Sequence, residues 1–382
     1  MNLFVTHRDR YAPPVEFVER KWIGHPDTIC DRLSEEFARH LAASYLEHTG
    51  RVQPFNVDKA VLAAGSVEVG FGGGTHTRPS RMVLVGRADF SHGYQPDIAA
   101  LEVELKRRLL GLLPDADPAA FTLEIWLNPS SVDLAAVVTA GLDVPLANDT
   151  SFAAVSVPLS PLEATVHEVE RTLNEPVYRS RVPVGRDIKV MGARFNGSVT
   201  ITVACPVMAA AVSDRDAYDA VVAEVHRTVT AVAAPAFAED LSVKINQADQ
   251  DDSPYLTVSG TSAEAGDDGQ VGRGNRFGGL ITPYRPMSLE ATAGKNPHAH
   301  VGKTYHAIGF DIATSLVTGS GAEETTIRLL SSIGHPVTEP QAVHVEVVGD
   351  VDDAAIAATA KEHFDDWAGV RDRLIAGDYE LF

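Results

Sequence analysis

Apolar residues recur along the chain in two alternating rhythms. Between His25 and Leu46, the residues Ile29, Leu33, Phe37, Leu41 and Tyr45 return every fourth position, which is one face of a helix, and Pro26 suits a first helical position. Two β-type runs follow, Val57 to Val69 and Arg81 to Ala88, separated by Phe71-Gly72-Gly73-Gly74; a helix carrying Ile98, Leu101, Leu105, Leu109 and Leu112 comes next. The middle of the chain repeats this grammar. A run from Ile188, an Asn196-Gly197 turn and alternating Val199, Ile201 and Val203 predict a hairpin, and a helix starting near Ser213 shows Val221, Val222, Val225, Val229 and Val232 on one face. Ahead of it, Ser160-Pro161-Leu162-Glu163 reads as a capping box opening a helix with Leu162, Val166, Val169 and Leu173 inward. Near the end, Thr325 to Ser331 and Val343 to Val348 predict strands, and a helix runs from Asp353 to about Leu374.

Three times, then, two strands precede a helix, with starts near residues 57, 188 and 325. This predicts an α+β fold of three units, each a mostly antiparallel sheet covered on one face by helices. At 382 residues the chain exceeds one ordinary core, and approximate divisions at 1–120, 121–240 and 241–382 fit the pattern, with strands and helices exchanged between units. The stretch from Gln247 to Gly294 breaks the rhythm. It is rich in Asp, Gly, Ser and Thr, too long for an ordinary connector, and of the kind that carries function.

Composition narrows the classes. Hydrophobic residues make up 45% and charged residues 22%, ordinary globular usage, while a formal net charge of −20 argues against a general nucleic-acid partner. Eight lysines stand against 24 arginines, so Lys189, Lys295 and Lys303, all in motif-like segments, stand out. Cys30 and Cys205 have no metal-ligand spacing and read as small buried hydrophobes without a disulfide. The first twenty residues contain no apolar signal core, and no later apolar run reaches roughly 18 residues, so the expectation is a cytoplasmic protein without a membrane partner.

Candidate chemistry concentrates in a few segments. In the loop Gly266-Asp267-Asp268-Gly269-Gln270-Val271-Gly272-Arg273-Gly274-Asn275-Arg276, glycines permit close backbone approach, paired carboxylates can hold a divalent metal, and arginines can clamp phosphate. Taken alone, an acidic surface turn has the same composition. The loop is neither a Walker A sequence nor a dinucleotide fingerprint. Gly24-His25-Pro26-Asp27 falls at a predicted helix N-terminus, where backbone N–H groups favour an anion, although Asp27 could equally just complement the dipole and His25 just cap the helix. Asp187 and Lys189 point to one side of a strand. His298 and His300 lack a third nearby zinc ligand.

Read in order, Val18-Glu19-Arg20-Lys21 with Gly24-His25-Pro26-Asp27, then Asn56-Val57-Asp58-Lys59, Pro145 through Phe152, Asp187 through Gly192, Gly260 through Glu264, the acidic glycine loop, and Leu280 through Pro297 resemble the successive motifs of archaeal-type S-adenosylmethionine synthetases (methionine adenosyltransferases). The similarity spans nearly the whole chain. The resemblance implies three pseudo-threefold-related domains, a homodimer with active sites between subunits, two Mg²⁺ ions per site and a monovalent cation such as K⁺. It also implies a reaction in which the sulfur of L-methionine attacks the ribose C5′ of ATP, after which the tripolyphosphate is hydrolysed to phosphate and diphosphate.

Under that resemblance His25 stands by the breaking C5′–O bond, and Lys189, Arg273 and Lys295 are the cations around the leaving triphosphate. Asp187, Asp267, Arg276 and Lys303 attend ATP and its phosphates, Glu68, Asp149 and Ser151 the methionine and nucleoside, and Asp27, Asp268 and Glu290 hold metal. Two departures bear on substrate choice: Phe55 stands where the family pattern has a His, and Ala153-Ala154-Val155-Ser156-Val157 replaces a Gly-rich continuation after Phe152. Two alternatives therefore stand beside methionine adenosyl transfer. One is a same-fold adenosyltransferase preferring a methionine analogue or modified nucleotide, and the other a non-catalytic nucleotide-binding paralogue, whose expected signature is loss of the charged set.

Overall fold

The computed structural model describes residues 2–10, 13–130, 144–250 and 253–382. Among them three four-stranded sheets share one plan. The first contains β3 (Phe55–Ala63), β6 (Ser80–Ala88), β7 (Phe121–Pro129) and the two-residue β14 (Gly269–Gln270), in the order β14-β3-β6-β7. The second contains β2 (Glu16–Lys21), β9 (Lys189–Phe195), β10 (Ser198–Ala204) and β12 (Asp240–Ile245), in the order β12-β10-β9-β2. The third contains β1 (Leu3–His7), β8 (Phe152–Val157), β15 (Glu324–Leu330) and β16 (Ala342–Val348), in the order β1-β16-β15-β8.

Each sheet is built on a central antiparallel pair, β3–β6, β9–β10 or β15–β16. An antiparallel strand flanks it on one side, β14, β2 or β8, and a parallel one on the other, β7, β12 or β1. The mostly antiparallel α+β expectation is therefore met. The flanking strands cross between units: β2 precedes the first helix yet joins the second sheet, β8 joins the third, and β14 returns from the acidic loop to the first.

One helix packs on the inner face of each sheet: α1 (Pro26–Thr49), α3 (Pro161–Asn174) and α5 (Val301–Gly319), with α2 (Ile98–Leu112) and α4 (Arg215–Ala233) beside β7 and β12. Where one helix from Asp353 to about Leu374 was expected there are two, α6 (Asp353–Asp365) and α7 (Trp367–Ala376), because Asp366 leaves helical geometry at φ −86°, ψ 21°. Among the described residues, apolar side chains on the inner faces form three cores, one per sheet, and a smaller fourth cluster gathers Val207, Val212, Tyr218 and Leu256. Ile29, Leu33, Phe37, Leu41 and Tyr45 of α1 are all fully buried in the first, as their spacing predicted. The Ser160–Glu163 capping box forms both of its reciprocal bonds, and Cys30 and Cys205 are buried free thiols.

Strand alternation leaves the opposite sheet faces without a helix among the described residues. On the second sheet Phe17, Glu19 and Lys21 of β2 lie on that face with Lys189 and Phe195 of β9; on the first sheet Val61 and Trp126 are 52% and 56% exposed there. A further hairpin, β4 (Ser66–Gly70) with β5 (Gly73–Arg78), joins β3 to β6 across the glycine run, and two short strands, β11 (Val207–Met208) and β13 (Leu256–Thr257), pair in parallel. No helix of the described residues is long and apolar enough to cross a membrane.

Candidate active site

The start of α1 creates the floor of a cleft. His25 is its N-cap in extended geometry, and its Nδ1 accepts the Asp27 backbone N–H at 3.2 Å. Accepting there leaves the ring proton on Nε2, which faces the Asp267 carboxylate 4.0 Å away. Gly24 is required by close approach: a Cβ there would lie 2.5 Å from the backbone carbon of Arg186. Thr261 Oγ donates to the Gly24 carbonyl at 2.7 Å, so the turn and the Gly260 region hold each other.

Two carboxylates one helical turn apart then fix the acidic loop. Asp27 Oδ1 accepts the Gln270 N–H at 2.9 Å, and Asp31 Oδ1 accepts the Gly272 N–H at 2.7 Å. Asp27 Oδ2 meets Lys21 Nζ at 2.9 Å, and the same ammonium donates to the Arg273 carbonyl at 3.1 Å. Asn275 clamps the Lys21 backbone with bonds of 2.9 and 2.8 Å. Loop and helix start are thus held by a mesh of short contacts. Burial raises the Asp31 carboxyl to about 7, despite the Gly272 bond.

The resulting cleft has a volume of about 630 Å³. It gathers Lys21, His25, Asp27, Lys189, Asp267, Asp268 and Arg273, lying on the helix-free faces of the first and second sheets, with Val61 and Ala63 as its apolar side. Six residues singled out in the sequence meet here: His25, Asp27, Lys189, Asp267, Asp268 and Arg273. Lys189 approaches Glu19 at 3.2 Å, and Asp268 Oδ1 is held by the Ala64 N–H at 2.8 Å. Asp187 stands one layer back. Its buried carboxylate, raised by desolvation, accepts from the Ser262 N–H at 2.9 Å and from its hydroxyl, and the same hydroxyl reaches Asp267 at 3.0 Å.

The other expected residues lie elsewhere in the chain. Lys295 is buried and paired with Asp58 and Glu290, each at 3.1 Å. Lys303 is 0% exposed and bound to Glu35 at 2.6 and 2.8 Å. Arg276 turns into a different cavity. Glu68 is exposed on the β4–β5 hairpin, while Asp149 and Ser151 sit at the end of β15, where Ser331 Oγ donates to the Asp149 carbonyl at 2.7 Å. The departures also lie away from the cleft: Phe55 is in the first core, stacked on Tyr45 at 6.2 Å, and Ala153 to Val157 form most of β8.

Lys21, Ser262 and Asp31 were not singled out from sequence. Lys21 and Ser262 carried a signal, since both lie in motif-like runs and Lys21 is also one of eight lysines; Asp31 carried none.

The residue pattern of the S-adenosylmethionine synthetase (AdoMet synthetase) family matches residues 5–377. The chain belongs to that family. It is 43% identical over 353 residues to a probable S-adenosylmethionine synthase of Aquifex aeolicus, covering 90% of this chain and 88% of that one. The S-adenosylmethionine synthase of Halobacterium salinarum is 41% identical over 374 residues, with 93% and 91% covered, and that of Methanococcus aeolicus 37% identical over 389, with 97% and 96% covered. A solved structure described as an unusual S-adenosylmethionine synthetase from Campylobacter jejuni aligns with a TM-score of 0.60 at 15% identity, over 94% of this chain and 93% of that one, and shows the shared fold.

Whether the cleft fits Mg²⁺ depends on its donors. Among the described residues no three His, Cys, Asp or Glu side chains form a ready-made metal cluster. Mg²⁺, however, usually keeps waters and takes one or two protein carboxylates plus substrate phosphates, and Asp27 and Asp267 flank the His25 ring at 3.8 and 4.0 Å. The residues fit a phosphate-completed ion. No donor set among the described residues singles out a place for a monovalent cation.

Proposed function

We propose that the chain makes S-adenosylmethionine from ATP and L-methionine by sulfur attack on the ribose C5′, with the tripolyphosphate then hydrolysed to phosphate and diphosphate. One observation carries this reading: Lys21, Lys189 and Arg273 converge with the proton-bearing Nε2 side of His25 on one cleft at a helix N-terminus.

The chemistry asks for that set. Attack at C5′ expels an already anionic chain, so charge grows on the bridging oxygen and must meet preorganised donors. The Nε2–H of His25 is placed to donate to that oxygen, while Lys189, Arg273 and Lys21 neutralise the phosphates. Mg²⁺ held by Asp27, Asp267 and phosphate oxygens would add positive charge and, in the second step, a polarised water. Ser262 ties Asp187 to Asp267 and fixes the loop carboxylate facing His25.

Methionine and nucleoside contacts are proposed for Glu68, Asp149 and Ser151, which lie outside this cleft in a single chain. A homodimer with its clefts at the subunit interface accounts for this. The helix-free sheet faces that carry the cleft also expose Phe17, Phe195, Val61 and Trp126, apolar area that a second copy would cover. Lys295 with Glu290, Asp58 and Lys303 with Glu35 are read as charged pairs supporting the loop before α5.

Incubation of purified protein with ATP, Mg²⁺, K⁺ and L-methionine tests the reading. S-adenosylmethionine, phosphate and diphosphate should appear in equal amounts. Absence of product at every protein concentration would sink it, and omission of each ion in turn tests the cation requirement.

A further inference from the structure

A second cavity, of about 470 Å³, lies between β8, α3, α5 and the C-terminal segment, and shares no lining residue with the catalytic cleft. Its volume is that of an ordinary small-molecule site. Phe277 organises its wall, with ring centroids 5.6 Å from Phe310, 6.1 Å from Tyr379 and 5.8 Å from His306.

The charges around this apolar wall are almost all spent. Glu163 is bound by Arg285 at 2.8 Å, Glu380 by Arg20 at 2.8 Å, and Glu290 by Lys295 at 3.1 Å. His306, held by burial at about 4 and bonded through Nδ1 to the Gly302 carbonyl at 2.9 Å, is neutral. Asp378 is exposed to solvent. Arg276 is the exception: its Nη1 is buried without a hydrogen-bond partner, and no described residue forms an ion pair with its guanidinium, on which the buried Asp31 carboxyl acts only from beyond ion-pair distance. A guanidinium nitrogen kept from water and left unpaired is costly, and a carboxylate is the group whose geometry matches it.

We propose that this cavity is a ligand site separate from the catalytic cleft, taking a small aryl or branched-alkyl monocarboxylate whose carboxylate pairs with Arg276 and whose apolar body lies on Phe277 and Phe310. A single unpaired cation among aromatic walls suits a monoanion with an apolar body and disfavours a polyphosphate, which needs several. The site is independent of the adenosyl-transfer reading.

Calorimetric titration of the full-length protein with 4-phenylbutyrate and with its neutral amide, 4-phenylbutyramide, tests the proposal without any variant. The acid should bind saturably at one site per chain in the millimolar range or tighter, at least tenfold more tightly than the amide. Its affinity should be unchanged when a non-hydrolysable ATP analogue and Mg²⁺ fill the catalytic cleft, and the preference for acid over amide should vanish in Arg276→Gln. Equal binding of acid and amide, competition by the ATP analogue, an undiminished preference in Arg276→Gln, or no saturable binding of the acid would each overturn it.

Discussion

Lys21 and Lys189 stand directly opposite each other on the antiparallel strands β2 and β9, with Glu19 Oε1 3.9 Å from the first ammonium and 3.2 Å from the second. Like charges facing across a strand pair repel; Asp27 holds Lys21 at 2.9 Å, but among the described residues Lys189 has only the shared Glu19 to offset it. The pair is therefore poised for a polyanion. Lys189→Ala and Arg273→Ala should each lower turnover by about two to four orders of magnitude with modest loss of folding stability. Steady-state assays alongside thermal melts check this, and near-normal turnover in both variants would contradict the roles given to them.

Lys303 and Glu35 form a buried pair in which desolvation pushes the carboxyl up and the ammonium down, each opposed by its partner. Removing one member leaves the other charged in an apolar setting. Lys303→Met should cost about 3–5 kcal/mol, and Lys303→Met with Glu35→Leu should recover most of it. Urea unfolding of the two single variants and the double variant decides; a double variant as unstable as the sum of the singles would refute the compensation.

Asp31 carries a pH signature. Burial raises its carboxyl from 3.8 to about 7, so the folded state keeps a proton that the unfolded chain releases near pH 4. The contribution of this group to stability is therefore intact below about pH 4, falls as pH rises towards about 7, and is lowest above that. The loss amounts to at most about 4 kcal/mol. Asp31→Asn retains an acceptor for the Gly272 N–H but cannot ionise, so it should gain stability over the parent at pH 8 and little at pH 4. Denaturation across this range is the check, and an unchanged difference at all pH values would remove Asp31 as the cause.

Gly24→Ala places a methyl group against the Arg186 backbone, which must shift the turn carrying His25. Displacements near 1 Å at a reacting centre can cost about a hundredfold in rate. Turnover should fall by at least about tenfold, with a lower melting temperature. Parent-like kinetics would show that the turn tolerates the shift.

Much of this was legible in the sequence where one element buries one face. α1, α2 and α4 announced themselves by periodicity, and the capping box located α3. α5 was hidden because it is enclosed on several sides, so Lys303, Thr304 and His306 are buried along with its apolar residues and no polar stripe remains. The strands β2, β8 and β14 were missed for another reason: each completes a sheet built from a distant part of the chain, and no local pattern names that partner. The site divided in the same way. His25, Asp27 and the acidic loop were readable as residue types, but spacing alone could not show that Arg273 faces the cleft while Arg276, three residues later, faces another cavity.

The central claim is that the Nε2–H of His25 assists departure of the triphosphate at C5′. Rapid-quench measurement of a single turnover in His25→Asn, compared with the parent at saturating ATP, Mg²⁺ and L-methionine, tests it most directly. The expected result is S-adenosylmethionine formation slowed by about two to four orders of magnitude, with ATP affinity close to that of the parent. Formation at the parental rate would contradict the claim.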